Sequence, residues 1–106
     1  MTAAAVDPKG RVNFTEVNIL LLEQNESAAD LLSQIFAGFG AQNCVKALSV
    51  DDAVNAVSRK PIDIAIVEAD LGNDDGLDFI RWLRRSASEP SRSAPVLVAS
   101  AIATAP

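Results

Sequence analysis

The sequence predicts an α/β fold with a doubly wound parallel sheet, in which helices cover both faces. Short aliphatic runs alternate with stretches of helical periodicity, and polar side chains follow the runs directly. The clearest run, residues 64–67, is apolar at every position and ends at Glu68. A strand without polar alternation is expected to be buried on both faces, which is typical of the middle of a parallel sheet.

Composition indicates one ordinary globular domain. The chain has 106 residues, of which 49% are apolar and 22% charged, and this length allows one core. Residues 1–16 are small and polar, with Pro8 and Gly10 among them, and are expected to form a flexible N-terminal tail before a domain at 17–106. A net charge of −5 argues against a nucleic-acid partner.

Several residue types are absent or rare, and this excludes common chemistries. The chain has no histidine, which removes histidine-based catalysis and most zinc and haem sites. Cys44 is the only cysteine and is expected to be a small core residue. No apolar stretch has the length of a membrane span and the N-terminus lacks a secretion pattern, so we expect a soluble, cytoplasmic protein without a membrane partner.

The first half of the chain predicts two βα units. Residues 17–22 are aliphatic and predict the first strand. A helix from Asn25 or Ser27 to Phe39 is predicted by one apolar stripe, with Ser27 and Asp30 as a capping pair and Gly40 ending the helix. Residues 41–48 predict a weaker second strand. Ser49 then begins a second helix, which must end before Pro61.

The second half predicts two further strands and one helix. Leu77, Ile80 and Leu83 recur at helical spacing after Gly76, and Arg81, Arg84 and Arg85 lie on the other face. A solvated face is the simplest interpretation of these arginines, whereas Trp82 could lie at the core edge or at a partner contact. After a polar loop at 86–94, residues 96–100 form another apolar run. The complete order, βαβαβαβ, is that of a parallel sheet with helices on both faces.

Polar side chains at three strand ends are expected to meet in one crevice. Glu23 and Gln24 follow the first strand, Glu68 ends the third and Ser100 ends the fourth. The carboxyl ends of strands in an open α/β sheet line the ligand crevice. Carboxylates beside a hydroxyl form an oxygen-rich site suited to Mg²⁺.

These segments resemble the receiver domain of bacterial two-component response regulators. The resemblance is carried by NILLLEQNES at 18–27, DIAIVEADLGNDDG at 63–76 and PVLVASA at 95–101. It implies a flavodoxin-like sheet of strand order 2-1-3-4. It also implies a Mg²⁺ site at Glu23, Gln24 and Glu68 with the carbonyl of Asp70, a phosphoacceptor position at Glu68, and Ser100 beside the phosphoryl group.

The sequence departs from that family at three points. Glu68 stands where the family has an aspartate, and the extra methylene disturbs the arrangement of nucleophile, metal and phosphodonor. Gln24 removes one of two carboxylates, so Mg²⁺ is expected to bind weakly or not at all. The pattern stops after the fourth strand, so the fifth βα unit is expected to be missing. Its loss would expose a strand edge and apolar surface beside the first helix, where a homodimer could form.

The function expected from this resemblance is that of an atypical receiver, not an enzyme, that serves as an interaction module in phosphorelay signalling. Its partners would be a histidine kinase or another regulator. One alternative is a Mg²⁺-dependent phosphoacceptor that uses Glu68 or Asp70. A second is the N-terminal fragment of a longer regulator, and a third makes Glu68 only a solvated carboxylate at a strand end. An EF-hand is not expected, because Arg81 stands at the twelfth position counted from Asp70.

Overall fold

The structure is a computed structural model that describes residues 14–72 and 74–99. Its main strands are β1 (Asn18–Leu22), β2 (Asn43–Ala47), β3 (Ile64–Glu68) and β6 (Val96–Ala99), while β4 (Asp70–Leu71) and β5 (Asp74–Asp75) form a short antiparallel pair. The helices are α1 (Glu26–Gly38), α2 (Val50–Arg59) and α3 (Gly76–Ser86), and a 3₁₀ turn spans Ser91–Ser93. The main strands are parallel in the order β2-β1-β3-β6. The predicted flavodoxin-like order is therefore confirmed, with β6 as the fourth long strand.

The sheet separates two apolar clusters because successive side chains of a strand point to opposite faces. On one face, Leu20 and Val67 pack with Phe79 and Leu83 of α3, and α2 contributes to the same cluster. On the other face, Ile19 and Leu21 pack with partly buried residues of α1. Helices thus cover both faces, as predicted, but α1 is the only helix of the described chain on the second face.

The first helix begins earlier than its predicted capping pair. Asn25 is the N-cap, and its Oδ1 accepts a hydrogen bond from the Ala28 backbone N–H at 3.0 Å. The pair of Ser27 and Asp30 is therefore wrong, because Ser27 already lies inside the first turn. The predicted end is confirmed by Gly40, which has a φ of +94°, a conformation that favours glycine.

The second helix begins at the predicted residue, and the turn before β6 makes a contact that was not predicted. Ser49 caps α2 by accepting a hydrogen bond from the Asp52 backbone N–H at 3.1 Å. Ser91 is buried, and its Oγ accepts a hydrogen bond from the Ile62 backbone N–H at 2.9 Å. This hydroxyl fixes the polar loop against the start of β3, which sequence patterning did not predict.

The apolar stripe of α1 is divided, which corrects the prediction that it is a single buried face. Leu32 and Phe36 pack on the sheet, whereas Leu31, Ile35 and Phe39 are 59%, 46% and 67% exposed. The periodicity correctly indicated a helix. It could not indicate that apolar residues occupy two sides of that helix and that only one side meets the sheet.

Burial of β3 is also less symmetrical than predicted. Ala65 and Val67 are fully buried beneath α2 and α3, but Ile64 and Ile66, on the α1 face, are only partly buried.

Trp82 of α3 is partly buried and stacks on Phe79 with ring centroids 6.0 Å apart, so it lies at the core edge. None of the helices in the described ranges could cross a membrane.

We predict that Gly76→Ala destabilises the fold, because a Cβ at this position would overlap the carbonyl oxygen of Glu68 and lie 2.9 Å from Cγ1 of Val67. Backbone and core atoms cannot move away easily, so the expected loss is about 1–3 kcal/mol in the free energy of unfolding. Urea unfolding followed by circular dichroism measures it.

The matched control is Gly38→Ala, where nothing lies within 4 Å of the added Cβ. Because alanine favours the helix over glycine, this variant should gain about 0.5–1 kcal/mol. Equal stability changes in the two variants would contradict the close contact between Gly76 and β3.

Candidate functional site

An open cleft of about 480 Å³ lies at the carboxyl edge of the sheet, beyond the ends of β1 and β3. Its lining combines the predicted strand-end residues with the start of α1: Glu23, Gln24, Asn25, Ala28, Glu68 and Asp70. All four predicted metal-site residues therefore share one cleft. No basic residue lines it among those the structure describes, so the carboxylates give it a negative charge.

Glu68, at the acceptor position of the resemblance, is almost fully buried. Only 5% of its surface is exposed, and its Oε1 accepts a hydrogen bond from the Asp70 backbone N–H at 3.1 Å. The interpretation of Glu68 as a merely solvated carboxylate is therefore wrong. The side chain is folded back against the loop that follows its own strand.

The other two carboxylates also accept hydrogen bonds from nearby backbone. Oε2 of Glu23 accepts from the Asn25 N–H at 3.1 Å, and Oδ1 of Asp70 accepts from the Gly72 N–H at 3.0 Å. In each of the three acids, one carboxylate oxygen is thus bonded to the N–H two residues further along the chain. Each of these hydrogen bonds has a net value of about 0.5–1.5 kcal/mol, and a ligand that took over the same lone pair would have to replace it.

The amide of Gln24 lies against the loop after β3. A Cβ on Gly72, whose φ is +75°, would come within 2.9 Å of Nε2 of Gln24. Glycine is favoured here by the left-handed conformation, while the flexible amide could move aside. Gln24 thus closes one side of the cleft with a neutral group where the resemblance implies a second carboxylate.

The side chains of the cleft do not fit a divalent cation as they are arranged. Mg²⁺ requires near-octahedral oxygen ligation at about 2.0–2.1 Å, and residues 14–72 and 74–99 contain no group of three or more His, Cys, Asp or Glu that could hold a metal ion. The acids line one cleft, but one oxygen of each accepts a hydrogen bond from a separate backbone amide.

The loop acids after Asp70 have structural roles. Asp75 is the N-cap of α3, and its Oδ1 accepts from the Leu77 N–H at 2.9 Å. Oδ2 of Asp74 accepts from the Val50 N–H at 3.4 Å, a longer contact that links the loop to α2. Asp75 and Gly76, which were predicted to shape a turn, form the junction between β5 and α3. Ser100, the predicted neighbour of a phosphoryl group, lies outside the described residues.

Two residues of the cleft were not predicted from the sequence. Asn25 and Ala28 line it because α1 starts immediately after β1. The signal that could have identified Asn25 is its position as a capping residue between a strand and a helix.

Outside the cleft, Cys44 is half-buried and not fully buried as expected. Burial raises the pKa of its thiol.

The arginines of α3 make structural contacts. Nη1 of Arg84 donates hydrogen bonds of 2.7 Å to the carbonyl oxygens of Arg92 and Ala94, and Arg81 pairs with Asp78 at 2.6 Å. Arg85 is exposed. The predicted solvated face is thus found, with Arg84 also attaching α3 to the segment before β6.

The fold and the cleft define an α/β protein with a flavodoxin-like sheet and acidic residues at its carboxyl edge. The model of the response regulator receiver domain family matches residues 19–106. This chain therefore belongs to that family, as its resemblance implied. Among curated proteins, none matches it.

Solved structures agree with this assignment. A sensor protein from Polaromonas sp. JS666 is 29% identical with a TM-score of 0.72, and the match covers 81% of this chain and 66% of that one. A CheY-like receiver domain from Methylobacillus flagellatus is 21% identical with a TM-score of 0.71, over 79% and 69%. The MaeR response regulator bound to beryllium trifluoride is 20% identical with a TM-score of 0.70, over 80% and 67%. The chain spans about two thirds of the length of these structures.

We predict that Asp75→Ala destabilises the protein by about 1 kcal/mol, because the first turn of α3 loses its N-cap acceptor. Thermal or urea unfolding monitored by circular dichroism gives this value. Asp74→Ala is a matched control that removes the same charge from the adjacent residue but breaks only the 3.4 Å contact with Val50. A larger loss for Asp74→Ala than for Asp75→Ala would show that the cap assignment is incorrect.

Proposed function

We propose that this chain is an atypical receiver domain that binds signalling proteins without being phosphorylated at Glu68. It acts as an interaction module in two-component signalling and is not an enzyme. The observation that supports this proposal best is the burial of Glu68, whose carboxylate accepts the Asp70 N–H. The expected partners are a histidine kinase or another regulator in the cytoplasm, and a second copy of the chain.

The geometry of Glu68 opposes in-line attack on a phosphodonor. The attacking oxygen must approach phosphorus closely and in line with the leaving group. At 5% exposure, Glu68 would have to change rotamer and break its bond to Asp70 before it could reach a donor in the cleft. Its longer side chain would then place the oxygen beyond the position that an aspartate would occupy.

The charge of the cleft opposes the reaction as well. A phosphodonor is an anion, and Glu23, Glu68 and Asp70 line the described cleft without a basic residue. Two like charges about 4 Å apart repel by about 1 kcal/mol in water and by about 4 kcal/mol near a protein surface. A well-bound cation would offset this repulsion. Gln24 is neutral, and each carboxylate accepts a hydrogen bond from a different backbone N–H. Both features weaken cation binding, so we propose weak Mg²⁺ binding or none.

The buried carboxylate of Glu68 gives the module a fixed negative charge at the acceptor position. This charge imitates a phosphorylated aspartate only in part, since a phosphoryl group carries about −1.5 to −2 and three acceptor oxygens. Partner binding under this proposal does not depend on Mg²⁺ or on a phosphodonor.

An alternative is phosphorylation of Asp70, and one observation favours it. Asp70 lines the same cleft and is exposed, so its second oxygen is more accessible than Glu68. The chain would then be a Mg²⁺-dependent phosphoacceptor with a shifted nucleophile. In either case, these 106 residues could also be the leading part of a longer regulator.

We predict that the wild-type chain gains no phosphoryl group when it is incubated with Mg²⁺ and acetyl phosphate, as measured by intact mass spectrometry. The double variant Gln24→Asp/Glu68→Asp should gain one, because it restores the acidic pair and the shorter nucleophile. Hydroxylamine should remove the added mass, as expected for an acyl phosphate. Circular dichroism verifies that each protein is folded.

Two control variants identify the acceptor. When Asp70→Asn is added to the double variant, the added mass should remain, which would identify residue 68 as the acceptor. An adduct on the wild-type chain that disappears with Glu68→Gln would refute the proposal, and one that disappears with Asp70→Asn would establish the alternative.

A further inference from the structure

A second concave site lies at the amino edge of the sheet, at the end opposite the acidic cleft. It has a volume of about 310 Å³ and lies between the carboxyl-terminal ends of α2 and α3 and the loop that follows α3. Ligand sites in proteins have volumes from about 300 Å³ upward. We call this site the basic pocket, and its lining includes Arg59, Lys60, Pro61, Trp82, Ser86 and Glu89.

The walls of the basic pocket are complete within the described chain. They are formed by the end of α2 with the residues that lead into β3, and by the end of α3 with the loop that leads toward β6. Ala99, the last residue of β6, lies at the other edge of the sheet. In the sequence, residues 1–13 carry one acidic and two basic side chains, and residues 100–106 carry none. Neither segment is therefore acidic.

The pocket is positive, although the chain has a net charge of −5. Its one acidic residue, Glu89, is turned toward the 3₁₀ turn. Oε1 of Glu89 accepts from the Ser93 backbone N–H at 3.1 Å, and Oε2 accepts from the Ser93 hydroxyl at 2.8 Å. Arg92 pairs with the same carboxylate at 3.6 Å. The charge of Glu89 is thus offset by its own neighbours, and Arg59 and Lys60 determine the charge of the pocket.

Both cations are available to a ligand. Arg59 is exposed and takes part in none of the ion pairs found among the described residues. Nζ of Lys60 lies 3.5 Å from Oδ1 of Asn43, a distance at the outer limit of a hydrogen bond. A guanidinium group binds a carboxylate through two parallel hydrogen bonds, and an ammonium group binds it as a point charge. The pair therefore suits carboxylate groups.

Trp82 supplies an apolar wall beside these cations. Its ring is partly buried and stacks on Phe79, so a ligand does not have to order it. Ser86 lies one turn further along the same side of α3, and Pro61 lines the pocket from the α2 side. Tryptophan is common at binding hot spots because it combines a large apolar area with few rotatable bonds.

The surroundings of the pocket favour a peptide over a small free anion. Both α2 and α3 end here, and the last four carbonyl groups of a helix have no partner within that helix. The carboxyl-terminal end of a helix carries partial negative charge, which opposes an anion held against it. A peptide supplies N–H donors for carbonyl groups, carboxylates for Arg59 and Lys60, and an apolar side chain for Trp82.

We propose that the basic pocket binds an acidic segment of a partner protein, whose carboxylates contact Arg59 and Lys60 while an apolar side chain packs on Trp82. This proposal names a docking surface for the interaction module proposed above and rests on that function. The pocket and Glu68 lie at opposite edges of the sheet. Binding at this surface therefore needs no contact with the acceptor position.

Fluorescence of Trp82 tests the proposal directly, because the chain has no other tryptophan and no tyrosine. The probe is a short capped peptide of glutamates around one leucine, titrated into the full chain without Mg²⁺ or a phosphodonor. A saturable change in fluorescence is expected, and added salt should weaken binding by screening the charges. The same peptide with glutamines in place of glutamates should bind about tenfold more weakly, since its ion pairs are lost.

A matched pair of charge reversals locates the site. Arg59→Glu should weaken binding of the acidic peptide about tenfold or more, because attraction becomes repulsion within the pocket. Arg81→Glu makes the same change of charge on an exposed residue of α3 that does not line the pocket, and should change the affinity by less than about twofold. Both side chains are exposed, and circular dichroism verifies that both variants are folded.

Four results would overturn the proposal: no saturable change in wild-type fluorescence, equal affinity for the two peptides, equal losses in the two variants, or inorganic phosphate that binds as tightly as the peptide. The last result would make the pocket a site for small anions. Failure of the proposed function has a separate readout, which is an acyl phosphate on the wild-type chain in intact mass spectrometry.

Discussion

The close packing of the loop after β3 against the end of that strand is the constraint on which the rest of the site depends. Gly76 begins α3 directly over the Glu68 carbonyl, and its N–H donates to the carbonyl oxygen of Ala69 at 2.9 Å. The Glu68 side chain is held on the same loop by the Asp70 N–H. Backbone and side-chain hydrogen bonds therefore connect the strand end both to the residues that follow it and to the start of α3. The acidic cleft is therefore assembled from residues whose hydrogen bonds already serve the fold.

This arrangement explains how a receiver domain can retain its architecture while the acceptor position changes. The parallel sheet, the capped helices and the start of α3 at Asp75 and Gly76 are held by packing and hydrogen bonds within the chain. A longer carboxylate at position 68 can be accommodated by folding back onto the Asp70 N–H. Gln24 can rest against Gly72 without adding charge. Under the proposed function, Gln24 and Glu68 alter the chemistry of the cleft, while the receiver framework around them is retained.

Most of the fold could be predicted from the sequence, and the errors have identifiable causes. Aliphatic runs located three of the four main strands and a weaker signal located β2, while Ser49, Gly40 and Gly76 correctly marked helix boundaries, because these signals are local. The division of the α1 stripe into a packed and an exposed side could not be predicted, since it depends on which helices share a face of the sheet. In the cleft, the sequence indicated that Glu23, Gln24, Glu68 and Asp70 meet. It did not indicate that each acid accepts a hydrogen bond from the amide two residues later. That detail depends on loop conformation, which residue spacing does not encode.

The central claim is that the carboxylates of the cleft are already bonded to their own backbone, and a Mg²⁺ titration followed by amide NMR tests it most directly. The amides of Asn25, Asp70 and Gly72 report on the three hydrogen bonds. If the claim is correct, these resonances stay in place when millimolar Mg²⁺ is added. Saturable shifts confined to these amides would contradict it, because they would show that a cation binds at these carboxylates.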